Sequence, residues 1–273
     1  MRLLSGPALA TMKLALLVEY DGTGYHGFQR QAPEREPTVQ GMLEAAVTRI
    51  CQRYVPVIGA GRTDSGAHAS GQVAHFQVDS PLKPEDWHRA LNAVLPADIA
   101  VRRVAQVRDD FHARYSALSR SYRYTVLNDR WPSPLRERYM YRVSEPLDVA
   151  ALDRACAALL GEHDFRAFGR SPRDSRSARG HSCVRLMLAA GCRGDEGSGL
   201  IFFDFTANGF LTGMIRRLVG TLLLVGKGHL EVDGFAQILA SAHEAHPGAS
   251  VPACGLCLTH VAYPPETLLW SEA

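Results

Sequence analysis

The chain is poor in lysine. Of its 30 basic residues only Lys13, Lys83 and Lys227 are lysines, so 27 are arginines. A GC-rich genome gives the same bias, so the ratio alone decides nothing. Also missing is any apolar run of the ~18–20 residues that a membrane-spanning helix needs, and no membrane association is expected. The opening stretch MRLLSGPALATMK has one early arginine, and its apolar core is too short and broken for an export signal. Met12 opens the first clear strand pattern, and residues 1–11 read as a loose extension or a misplaced start. Without an export signal, the six cysteines read as reduced thiols, and the expected location is cytoplasmic. Cys254 and Cys257 form a CxxC with no second such pair. CGLCLTHVAY alternates like a strand, so small buried residues explain it better than zinc, and no metal is expected. No Gly-Lys-Ser/Thr phosphate cradle occurs, and no cofactor motif is present. Low-complexity tracts and long linkers are absent too.

What remains is a chain of 273 residues, 46% hydrophobic and 21% charged, enough for a substantial core. Its net charge is only +2. That charge is unevenly spread: residues 101–142 hold ten arginines against four acids, and residues 166–193 hold seven against one. Such blocks suit a polyanion-facing surface. They suit equally a set of solvated faces whose acids the fold brings near.

Hydrophobic periodicity predicts an alternation of elements. KLALLVEY (13–20) reads as a buried strand, and TVQGMLEAAVTRI as a helix capped by Thr38 with Val39, Met42, Leu43, Ala46, Val47 and Ile50 at helical spacing. YVPVIGA (54–60) and GQVAHFQV (71–78) read as strands, the second with Ala74, Phe76 and Val78 on one face. PEDWHRALNAVL is a second helix and IAVRRVAQV (99–107) a strand. SRSYRYTVLN (119–128) opens a second round, followed by a helix capped by Asp148 and stopped by Gly161. SCVRLMLAA and LIFFDFTA make a hairpin around the turn-rich CRGDEGSG. GFLTGMIRRLVGTLLLVGKG is a long helix, VDGFAQILASAH a short one, and GLCLTHVAY the closing strand. Each round is β-α-β-β-α-β, the ferredoxin-like order. The fold class expected is therefore α+β: two ferredoxin-like halves, residues 12–116 and 117–266, sharing a central mixed, mainly antiparallel sheet flanked by helices.

Three clusters invite a chemical reading. In GAGRTDSGAHASGQVAHF (59–76), Asp64 lies on the connection between two strands, bracketed by Gly59, Gly61, Gly66 and Gly71. Glycines there let the backbone turn and a bulky ligand come close; an Asp-Ser-Gly triplet is also an ordinary turn. In the long helix, Arg216 and Arg217 fall in a sequence that is apolar nearly all round, so the helix should be buried. One guanidinium can snorkel outward; the other needs an anion, and Asp64 is the natural partner, since pairing would hold a nucleophilic carboxylate ionised and aimed. Arg62, on the same loop, can instead point outward to contact a ligand. Tyr122 and Tyr124 share a strand face among Arg120 and Arg123; Tyr124 reads as core, and Tyr122 as core or as a platform for a nucleobase. Arg170, Arg173, Arg176 and Arg179 recur in a Gly/Ser/Pro-rich stretch, which reads as a phosphate-gripping or merely solvated loop.

GAGRTDSGAHASGQVAHF closely resembles the catalytic motif of the tRNA pseudouridine synthase A family. VEYDGTGYHGFQRQ with TVQGMLEAAV, LNAVLPADIAVRRV, DDFHARYSALSRSYRYTVLN, GEHDFRAF, NGFLTGMIRRLVGTLLLVGKG and GLCLTHVAYP are similar to family blocks in the same order. The resemblance implies uridine isomerisation in the anticodon stem-loop of tRNA, at positions 38, 39 and 40. It implies a homodimer and no cofactor. By it Asp64 is the catalytic aspartate and Arg216 its partner, Tyr122 stacks on the target uracil, and Arg62 helps prise out the base. Whether the aspartate attacks ribose or uracil is left open. The departures are small: DSGAHA stands where DAGVHA is usual, and Phe28 where tryptophan is common. Asp-Ser-Gly is also the triplet of aspartic proteases, but a single-chain enzyme of that kind needs two triplets, and only one is present.

Overall fold

The computed structural model describes residues 11–170, 182–195, 197–241, 248–267 and 270. Its centre is a ten-stranded, mostly antiparallel sheet, with the main order β4-β1-β3-β10-β5-β9-β8-β7. The first strands are β1 (Thr11–Tyr20), β2 (Ile58–Gly59), β3 (His68–Asp79) and β4 (Ile99–Val107), with helices α1 (Val39–Cys51) and α2 (Pro84–Val94) between them. The chain continues through β5 (Ser119–Asn128), β6 (Tyr141–Val143), α3 (Val149–Ala157), β7 (Gly161–Asp164), β8 (Val184–Asp195) and β9 (Leu200–Ala207). Helices α4 (Met214–Gly226) and α5 (Val232–Ser241) and strand β10 (Leu256–Ala262) complete it. Expectations for residues 1–10 and for Arg173, Arg176 and Arg179 lie outside the described residues, and Thr11 already belongs to β1.

The helices form where the apolar spacing placed them. The Thr38 side chain accepts from the backbone N–H of Gly41 at 3.3 Å, and that of Asp148 accepts from Ala151 at 2.9 Å. Each such cap contributes about 1 kcal/mol. Trp87 and Leu91 of α2 are fully buried, and the Trp87 ring meets Phe76 edge-on at 5.1 Å.

Several expectations shift. The strand expected over 54–60 shrinks to two residues, because Tyr54 and Pro56 turn outward before the chain reaches β3. Strand β3 is buried on both faces rather than one: Ala74, Phe76 and Val78 face the helices' side, while Val73 and His75 are covered as well. Gly161 does not stop α3; the helix ends at Ala157, and Gly161, at φ +97°, opens β7. Strand β8 runs through Asp195 into the stretch expected to be turn. Cys254 lies in a short 3-10 turn ahead of β10, not in the strand, and both CxxC thiols are only partly buried. Helix α4 starts at Met214, because Gly213 before it adopts φ +71°, and this moves Arg216 from mid-helix to the first turn.

One pairing positions everything that follows. β10 runs parallel to β3 through Cys257 opposite His68 and Leu258 opposite Ala69, while its other edge runs antiparallel to β5. The strand leaving the Asp64 loop is thus joined, through β10, to the strand carrying Tyr122.

Candidate active site

The segment 60–67 is not a pliable loop. Ala60 donates its N–H to Val73 O at 2.7 Å, and the Gln72 side chain bonds Gly61 twice, accepting from its N–H at 3.2 Å and donating to its carbonyl at 2.8 Å. Thr63 Oγ1 shares a 2.8 Å hydrogen bond with the buried Tyr20 hydroxyl, and Thr63 O accepts from Phe28 N–H. Beyond Asp64, the carbonyl of Tyr25 accepts from both Gly66 N–H and Ser65 Oγ at 3.2 Å. The stretch DGTGYHG after β1 is therefore a cradle beneath Asp64, a role its sequence did not announce.

The bracketing glycines divide by task. Gly66 turns the chain at φ +80°, a conformation that side chains resist. Gly59 and Gly71 make room for protein rather than ligand: a methyl on Gly59 would fall 2.2 Å from the Phe28 ring, and one on Gly71 would fall 2.0 Å from Thr259 O. Gly61 faces the cavity, beside the Tyr122 hydroxyl.

Arg216 reaches Asp64 from the first turn of α4. Its Nη1 lies 3.1 Å from Asp64 Oδ2, and each side chain is 26% exposed, so the pair is accessible rather than sealed in the core. The guanidinium is aimed by a second bond, Nε to Val251 O at 2.7 Å, while Val251 N–H donates back to Arg216 O at 3.2 Å. Among the described residues Asp64 Oδ1 has no hydrogen-bond partner, so one carboxylate oxygen is tethered and the other is left for a substrate. Arg217 is held by carbonyls instead, donating to Thr212 O at 3.1 Å and to Phe168 O at 3.4 Å.

The pair opens into a cavity of about 820 Å³. Tyr122 lines it, 6% exposed, with its ring edge-on to Phe210 at 5.1 Å. Burial pushes the Tyr122 hydroxyl's pKa up, and it stays a protonated phenol at neutral pH. Tyr124 is core, as expected, with its hydroxyl donating to Pro252 O. Arg62 is exposed at the rim. All four expected site residues, Asp64, Arg216, Tyr122 and Arg62, thus line one cavity.

The structure adds residues that the sequence reading left unassigned. Arg114, Arg120 and Arg185 also line the cavity, making five arginines around a single carboxylate, Asp64. Among the described residues the cavity holds no second carboxylate, which an aspartic protease would require. Arg120 acts as a clamp, donating to Ala60 O at 3.0 Å and to Arg114 O at 2.5 Å. The arginine blocks are divided. Arg114, Arg120 and Arg185 face the cavity, whereas Arg102, Arg123, Arg138 and Arg142 meet Glu19, Asp204, Asp21 and Glu137.

Behind the site, Asp21 accepts from Thr23, from Arg138 at 2.8 Å and from the Tyr139 hydroxyl at 3.0 Å. Partial burial raises its pKa, but these hydrogen bonds outweigh that and bring it down to about 2. His68 Nδ1 lies 3.2 Å from Asp21 Oδ1 and 3.1 Å from the Gly22 backbone nitrogen. Desolvation lowers the His68 pKa, and the Asp21 carboxylate opposes that shift.

The sequence profile described as tRNA pseudouridine synthase matches residues 16–116 and 155–264. The chain belongs to the tRNA pseudouridine synthase family. It is 43% identical over 255 residues to a tRNA pseudouridine synthase A of Roseiflexus castenholzii, covering 93% of this chain and 91% of that protein. A Moorella thermoacetica protein of the same name is 41% identical over 92% of this chain and 99% of its own length. One from Thermosynechococcus vestitus is 42% identical over 94% of this chain and 88% of its own. The family's enzymes isomerise uridine to pseudouridine in tRNA. Among the described residues no helix is long and apolar enough to cross a membrane.

Proposed function

We propose that this enzyme converts uridine to pseudouridine in the anticodon stem-loop of tRNA, at positions 38, 39 and 40, with Asp64 as the nucleophile. The observation that carries the reading is the ion pair of Arg216 with Asp64, the one carboxylate among the described residues lining an arginine-rich cavity. A cavity lined by arginines, with Arg62 exposed at its rim, suits a polyanion, and such contacts supply the sequence-independent part of RNA affinity.

A stem uridine must leave its stack before it can react, which costs a few kcal/mol. The cavity receives the base, Tyr122 packs against the uracil, and Arg62 occupies the rim where the base departs. Asp64 then attacks, at the ribose C1′ or at the uracil ring. The N1–C1′ bond breaks, the uracil turns, a C5–C1′ bond forms, and the bond that Asp64 made in its attack is broken, which returns the free carboxylate. The hydrogen on C5 leaves as a proton and N1 gains one, so the change is redox-neutral and needs no group donor. Arg216 tethers one Asp64 oxygen and leaves the other directed at the substrate; alignment of this kind is worth several kcal/mol of barrier.

The same reading has the chain working in the cytoplasm as a homodimer whose two subunits build each RNA cleft. It assigns the Asp64 loop to a half spanning 12–116, and Tyr122 and Arg216 to a half spanning 117–266. The direct test is tritium release from tRNA labelled at uracil C5. Purified protein should release tritium at positions 38–40 of suitable tRNAs. No release from any such tRNA would overturn the proposal.

A further inference from the structure

The outer wall of the cavity holds an aromatic ring that the proposed reaction does not use. Between β4 and β5 the chain passes from the core to the surface: Phe111 is 2% and Ala113 0% exposed, whereas Tyr115 is 56% exposed and lines the cavity. The segment is pinned from several sides. Ala113 N–H donates to His75 Nδ1 at 3.2 Å, and the Tyr263 hydroxyl donates to Ala113 O at 2.7 Å. His112 Nδ1 accepts from the N–H groups of both Arg114 and Tyr115, and its ring stacks on Tyr115 at 4.3 Å and 30°. The Arg120 clamp bonds Arg114 O, one residue before Tyr115, and Ala60 O, four residues before Asp64. The ring is thus fixed relative to the Asp64 loop, backed on one side, and still more than half open.

We propose that Tyr115 is a second base-stacking platform, holding an unstacked nucleobase next to the uridine drawn into the cavity. This rests on the RNA substrate proposed above. Extruding a uridine strips its neighbour of a stacking partner, and a fixed ring at the rim replaces that partner. Such stacking tolerates any base, because every base has a π-face. Tyr122 cannot serve both bases, being 6% exposed with Phe210 against it. The Arg114 guanidinium, 5.7 Å from the centre of the Tyr115 ring, adds positive charge where the adjoining phosphate would run.

The test compares wild type with Tyr115→Phe, Tyr115→Leu and Tyr115→Ala. Two quantities are read: tritium release from labelled tRNA, and affinity for an anticodon stem-loop carrying 2-aminopurine beside the target uridine. Tyr115→Ala is expected to weaken binding roughly 5- to 150-fold, the range for one lost base–aromatic stack. The rate at saturating RNA should change far less. Tyr115→Leu, which keeps the bulk over His112 but has no π-face, should bind as weakly as Tyr115→Ala. Tyr115→Phe should match wild type. The 2-aminopurine complex should be brighter with Tyr115→Ala than with wild type, because a stacked reporter is quenched. Wild-type affinity in Tyr115→Ala, or equal losses in Tyr115→Phe and Tyr115→Ala, would overturn the platform while wild-type tritium release still supported the isomerase. A wild-type protein that releases no tritium would overturn the isomerase itself, and the platform with it.

Discussion

Asp64 owes its position to the side chains around it. Gln72 fixes Gly61, Tyr20 fixes Thr63, and Arg216 holds one carboxylate oxygen while Val251 holds Arg216. Replacing Asp64 with asparagine keeps the shape and removes the nucleophile, so kcat in the tritium assay should fall by at least about 1,000-fold with the fold intact. Arg216→Met leaves the carboxylate untethered, and on the order of a 100-fold loss in kcat is expected, the scale of a small misplacement of a reacting group. Asp21 offers a pH signature. Its folded pKa, about 2, lies below the ordinary 3.8, so its contribution to stability is present above about pH 4 and is lost as pH falls toward 2. Asp21→Asn should therefore lower the melting temperature at pH 7. The gap to wild type should close between pH 4 and 2. The sequence exposed Asp64 and Arg216 as chemistry because each is costly where it stands: a charge among glycines, and a charge in an apolar helix. It did not expose Arg120, whose partners are backbone carbonyls from distant segments that carry no side-chain signal.

Helix α4 and the segment 248–251 form one positioning unit. Gly220 permits their contact, since a methyl there would fall 1.8 Å from Ala249 O. Gly220→Ala should cost about 1–3 kcal/mol by overpacking. Because Val251 lies in the same segment and aims Arg216, the loss should appear in kcat as well as in the melting temperature. Element identities were largely readable for α1 and α3, where Thr38 and Asp148 cap helices with clear apolar faces. Short elements were not: β6 and β7 have three and four residues, too few to show a period, and are fixed by pairing with β5 and β8. The start of α4 was misplaced because GFLTG continues the apolar pattern, while its backbone turns at Gly213 and bridges Thr212 to Arg170.

At the scale of the whole molecule, arginine is sorted by the fold. Net charge is only +2, yet five guanidiniums converge on one cavity while many others are matched by carboxylates. Binding to tRNA should therefore weaken steeply with salt. Arg62→Gln should reduce the slope of log affinity against log salt by about 0.7–0.9, one phosphate contact, similarly for different tRNA sequences; an unchanged slope would remove Arg62 from the phosphate path. The two-residue parallel seam between β3 and β10 has a consequence for biosynthesis. The strand that leaves Asp64 begins at His68, whereas the strand that locks it beside Tyr122 begins only at Leu256, far later in the chain. Arg216 likewise depends on Val251, only a few residues ahead of that strand. A nascent chain on the ribosome, surrounded by tRNA, thus lacks the aimed pairing of Arg216 with Asp64 until Val251 and β10 have been made.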